Sequence, residues 1–141
     1  MTSLIAYRKV IDSVTTHTLR LPDAPQGTQA GQEIATLVDG RTVVALLDGF
    51  ELPANQPAAI AASIEVLPQP LPADLRDAIK QASPHVRLIN ARVTDAIAQR
   101  YSISDELKLM RTAPSLEMDA YNAYAEDCRA WGRAEKAQLG L

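Results

Sequence analysis

The sequence predicts an α+β fold, with a small antiparallel β-rich region at the N-terminal end and a C-terminal bundle of three to four short helices. Three observations carry this expectation. Two β-rich runs, 33–38 and 41–47, are joined by Asp39-Gly40, a dipeptide that marks hairpins strongly. The alternate prolines of Pro68-Gln69-Pro70-Leu71-Pro72 hold the backbone near polyproline II and continue neither strand nor helix. Beyond them the apolar residues recur at spacings of three and four, the period of a helix. The expected division is a β-rich region over 1–67, a proline connector over 68–72 and a helical module over 73–141.

Residues 4–11 and 14–21 read as two strands. In the second, Thr15, His17, Leu19 and Leu21 alternate with Thr16, Thr18 and Arg20, and the Thr and Val content favours an extended chain. Two prolines and two glycines between 22 and 31 then stop regular structure. Runs 33–38 and 41–47 should form a hairpin closed by a two-residue type I′ turn, with positive φ at both Asp39 and Gly40. Asp48-Gly49 ends the returning strand and leads to Phe50-Glu51-Leu52, a further short strand. Ile60, Ala62, Ile64 and Val66 share parity and read as a strand, although the alanines around them also suit a short helix.

After the connector, Pro72 suits the first turn of a helix over 73–82, which Ser83-Pro84 interrupts. A stripe of Val86, Ile89, Val93, Ile97 and Tyr101 marks the next helix. Ile103, Leu107 and Met110 mark another, with Ser102 and Ser104 as rival caps and Asp105 at capping-box spacing from Ser102. Thr112-Ala113-Pro114-Ser115 breaks the chain again. Ser115 then caps a last helix whose stripe is Leu116, Ala120, Tyr124, Cys128 and Trp131. Glu117 and Asp119 suit the positive end of its dipole, and Arg129, Arg133 and Lys136 the negative end. Such short amphipathic helices must cover their stripes on one another, on the N-terminal half or on another chain.

Composition narrows the function. The net charge of -3 argues against non-specific nucleic-acid binding. Residues 1–70 hold Arg8, Lys9, Arg20 and Arg41 against seven carboxylates, whereas 71–141 balance ten against ten, as solvated helix surfaces do. One cysteine, Cys128, rules out an intrachain disulfide framework and a cysteine-rich zinc site. The N-terminus lacks the charged start and long apolar stretch of a secretory signal, and no apolar run approaches a membrane span, so synthesis in the cytoplasm is expected.

No residue pattern announces a reaction. His17 and His85 lie far apart and have no nucleophile or orienting carboxylate at a suggestive spacing, so both read as structural or surface residues. The carboxylates Asp105 with Glu106, and Glu126 with Asp127, are adjacent rather than on one helix face. Cys128 reads as a buried, inert thiol. The glycines match neither a P-loop nor a dinucleotide fingerprint. No catalytic, cofactor or metal site is expected. Tyr121, Tyr124 and Trp131 have the composition of a binding hot spot and read either as an intramolecular core or as a contact between subunits.

The segment Ile97-Ala-Gln-Arg-Tyr-Ser-Ile-Ser-Asp-Glu-Leu-Lys-Leu-Met-Arg111, followed by Tyr121-Asn-Ala-Tyr-Ala-Glu-Asp-Cys-Arg-Ala-Trp131, resembles the C-terminal helical module of small proteins encoded in tailed-bacteriophage and prophage tail gene clusters. In these an arginine, Tyr-Ser, an acidic pair and an arginine precede a paired-tyrosine, Cys/Arg/Trp ending. The resemblance covers about a third of the chain and includes no catalytic motif. It implies a non-enzymatic virion component of the tail or baseplate, whose partners are tail or tail-fibre proteins of the same phage or further copies of itself. A tail-fibre assembly chaperone absent from the mature virion is the alternative, and a host-directed regulatory binding protein a third reading. Under the leading reading Leu107, Met110, Tyr121, Tyr124, Cys128 and Trp131 are the expected partner-binding residues.

Overall fold

A computed structural model describes residues 2–141 and has the expected α+β class. Its strands are β1 Ser3–Tyr7, β2 Val10–Ile11, β3 Thr16–His17, β4 Gly31–Thr36, β5 Thr42–Leu46 and β6 Glu65–Val66. Its helices are α1 Ala58–Ala61, α2 Ala73–Ala82, α3 Pro84–Arg100, α4 Ile103–Thr112 and α5 Leu116–Gln138. The chain divides into two compact units, one of residues 1–85 with 138–141 and one of residues 86–137.

In the first unit an antiparallel sheet runs in the order β4-β5-β1-β6, and β2 pairs with β3 as a separate ribbon. Leu4, Ile5, Ala6 and Tyr7 are all buried, so β1 is covered on both faces. Ile5 stands opposite Val44, and these two join Tyr7, Leu19, Leu46 and Ile60 in one core cluster. On the other face Leu4 meets Gly140, where an added Cβ would lie 3.2 Å from the Leu4 side chain. Gly31 opens β4 because its backbone passes close to β5: a Cβ there would sit 2.6 Å from the Ala45 carbonyl oxygen.

The hairpin of β4 and β5 forms as expected, but its turn does not. No residue other than glycine has positive φ among the described residues, so Asp39 cannot take part in a type I′ turn. Instead Gly40 N–H donates to the Leu37 carbonyl (3.0 Å), Leu37 N–H to the Arg41 carbonyl (2.8 Å), and Gly40 alone carries positive φ, 90°. A left-handed glycine after an ordinary turn leaves Val38 and Asp39 unstrained, which the primed turn would not.

Four other expectations need correction. The strand expected over 4–11 ends at Tyr7, where the Arg8 N–H turns to the Ser63 hydroxyl (2.9 Å) and Lys9 pairs with Glu33 (2.7 Å). The strand expected over 14–21 shrinks to β3, and Leu19 and Leu21 go to the core as loop residues. Phe50 and Leu52 likewise pack on the core cluster without joining the ladder. In the stretch read as a strand over 58–66, the alanines form α1 and only β6 pairs with β1. Ser63 closes that helix by donating its hydroxyl hydrogen to the Ile60 carbonyl (2.8 Å).

The proline segment 68–72 and α2 both fall within the sheet unit. Leu67 and Leu71 are buried, Leu67 N–H donates to the Leu4 carbonyl (2.8 Å), and α2 lies against β4 with Ile79 fully buried. The second unit holds most of α3 and α5 and all of α4.

Candidate docking surface

Helices α3 and α5 run antiparallel. Tyr101 meets Tyr121 edge to face at 4.9 Å between ring centroids, Tyr124 donates its hydroxyl to the Ala96 carbonyl (2.8 Å), and Gly132 faces Val93 and Ile89. The approach is closest at Gly132, where a Cβ would lie 2.8 Å from Val93 Cγ2. The buried positions of α5 are therefore Ala125 and Gly132, flanked by the half-buried Tyr121, Tyr124 and Cys128. The expected stripe is corrected accordingly. Leu116 is 84% exposed, Ala120 is exposed and Trp131 is 41% exposed, because small residues let the backbones approach and large ones would hold them apart.

The stripe on α3 is placed as read: Val86 and Ile89 are buried, and Val93, Ile97 and Tyr101 half-buried. The stripe on α4 faces out. Ile103, Leu107 and Met110 are 77%, 53% and 67% exposed, while Glu106, beside that row, and Leu109, further round the helix, are half-buried and no α4 residue is buried. An apolar row on solvent-facing helix surface is a candidate interaction site.

The capping box at the start of α4 is complete: Asp105 N–H donates to the Ser102 hydroxyl (3.1 Å), and Ser102 N–H donates to the Asp105 carboxylate (2.9 Å). The Ser102 backbone N–H, then the Ser102 side chain, hold the Asp105 carboxyl below its ordinary value of 3.8. A carboxyl depressed by folding adds stability that is complete above the unfolded-chain pKa and lost as pH falls through the lower folded one. The first turn of α4 should consequently fray on acidification below pH ~4, in the carboxylate range. The Ser102 amide shift, followed by NMR, reports this, and Asp105→Asn should abolish the titration.

Of the expected partner-binding residues, Tyr121, Tyr124 and Cys128 sit in or beside the seam of α3 and α5, whereas Leu107, Met110 and Trp131 are accessible. Arg100 holds its guanidinium 4.6 Å from the Tyr124 ring centroid, a cation–π distance. Burial, then the Glu106 carboxylate, raises the Tyr121 phenol above its ordinary value, and burial, then Cys128, does the same at Tyr124. Both phenols stay neutral at physiological pH, so the seam presents hydroxyl donors and no phenolate. Beside it Val93, Ala96, Asp127, Cys128 and Trp131 line a shallow groove of about 250 Å³.

The sheet unit has a larger concavity, of about 750 Å³, between the Asp39-Gly40 hairpin tip and α2, with Leu37, Val38, Pro72, Leu75 and Ala78 in its wall. Its Arg41 is already paired, with Asp39 (2.8 Å) and Glu65 (2.7 Å). His85, in the first turn of α3, shares a cleft of about 180 Å³ with Glu33, both of whose oxygens engage Lys9. The His17 pairing escapes a search by motif: its Nε2 meets Asp12 Oδ2 at 3.1 Å across the β2–β3 turn. Asp12 accepts from the N–H groups of Val14 (3.1 Å) and Thr15 (2.7 Å) with its other oxygen, a local turn-stabilising arrangement that an Asp followed by small and β-branched residues could have signalled. That pair is solvent-exposed and lines none of these hollows. Among the described residues no group of three or more His, Cys, Asp or Glu is arranged to hold a metal ion, and no helix is long and apolar enough to cross a membrane.

No family model, curated protein or solved structure matches the chain.

Proposed function

We propose that the protein is a non-enzymatic structural component of a bacteriophage tail or baseplate that docks on neighbouring tail or fibre subunits. The observation that carries the docking part is the row Ile103, Leu107 and Met110 turned outward on α4. Apolar surface of this kind gains most when another protein covers it. The phage setting rests on the resemblance of segments 97–111 and 121–131. A building-block role is supported by the ion pairs of Glu33 with Lys9 and of Arg41 with Asp39 and Glu65, which already engage these charged groups at the concavities.

Mass spectrometry of purified particles tests this reading. The expected result is the chain at a fixed ratio to the major tail protein. Its absence from particles that assemble only when the gene is intact would overturn the structural role in favour of a tail-fibre assembly chaperone.

A further inference from the structure

We propose that the exposed face of α4 is covered by α4 of a second copy of this chain, lying alongside it in parallel. The inference deepens the docking reading by naming the partner, and rests on that reading only in requiring that protein cover this face. At ~100° per residue, Ile103, Leu107 and Met110 form a narrow seam with the four-three spacing of alternating core positions in a coiled coil. Glu106 lies on one shoulder of that seam, and Arg111, with Ser104, on the other.

The charges select both the partner and its direction. In a parallel pair the Glu106 shoulder of one copy lies against the Arg111 shoulder of its neighbour. The offset from 106 to 111 is the one that opposite shoulders bridge in parallel coiled coils, and symmetry makes the bridge twice. In an antiparallel pair like shoulders meet, and two Glu106 carboxylates would face each other. Arg111 is exposed. The Glu106 carboxylate engages Tyr121 on the inner side, and a carboxylate has acceptor capacity left for a second donor. The three seam side chains offer on the order of 400 Å² of surface per copy, about half of what each partner buries in a standard interface, so the association is weak, transient and concentration-dependent.

Sedimentation velocity of the full chain over a concentration series tests the proposal. The expected result is a rise from one chain mass to a multiple of it as concentration approaches the millimolar range. Arg111→Glu should weaken self-association roughly tenfold, and Glu106→Arg with Arg111→Glu should restore it, since the bridge is only reversed. Met110→Cys in a Cys128→Ser background should form a disulfide between copies under mild oxidation, because only parallel pairing brings the two 110 positions together. A single chain mass throughout, failure of the charge reversal to restore, or self-association without the 110–110 disulfide would each overturn it. A monomeric chain found in purified particles would refute self-pairing and leave the tail reading standing; self-association of a chain missing from particles would do the reverse.

Discussion

Replacing Ile79 by Ala is expected to destabilise the sheet unit by about 3 kcal/mol, the middle of the range for removing a buried Ile side chain without refilling its space. Ile79 is fully buried on α2, and α2 lies against β4. Its loss should therefore be felt in the sheet, as faster hydrogen exchange at the slowest amides of β1, β4 and β5 and a lower urea midpoint. A helix merely tethered by the proline segment would give another pattern, with exchange changed in α2 alone. That result would show that α2 does not contribute to the core of residues 1–85.

Gly132→Val should cost the helical unit about 2 kcal/mol, as overpacking of a filled site does. The Cβ alone would come 2.8 Å from Val93 Cγ2, and Val93, branched at Cβ, cannot swing away by a rotamer change. Helix propensity works in the opposite direction, since Gly is the poorer former, but by only a few tenths of a kcal/mol. Sterics therefore win. Adding Val93→Ala should recover part of the loss, and this non-additivity, measured in a double-mutant cycle by urea denaturation, identifies the contact as the cause. Purely additive costs would mean that α3 and α5 are not in register at this point.

The seam of α3 and α5 shows what could and could not be read from the sequence. The α3 stripe was legible because its buried residues are large and apolar, and α4 and α5 begin at the serines whose side chains cap them. The α5 stripe was misplaced because an apolar pattern weights Leu116 and Trp131, while the close contact is made by Ala125 and Gly132, whose merit is the absence of side-chain bulk. In the N-terminal half the first strand and the Asp39-Gly40 hairpin were visible. The fates of 14–21 and 50–52 were not, because Leu19, Leu21, Phe50 and Leu52 are held by packing against a core assembled from distant segments. The outward stripe of α4 carried the helix period correctly, but periodicity does not say which side is covered.

The two compact units are not consecutive along the chain: residues 138–141 belong with residues 1–85, through Gln138, whose carbonyl accepts from the Thr2 hydroxyl (3.1 Å), and through Gly140 against Leu4. On a ribosome, which releases the polypeptide from its amino end, Leu4 is fully covered only once residues 138–141 have emerged. Closure of the Leu4 face thus depends on residues made after the whole helical unit, although the rest of the sheet is made before it.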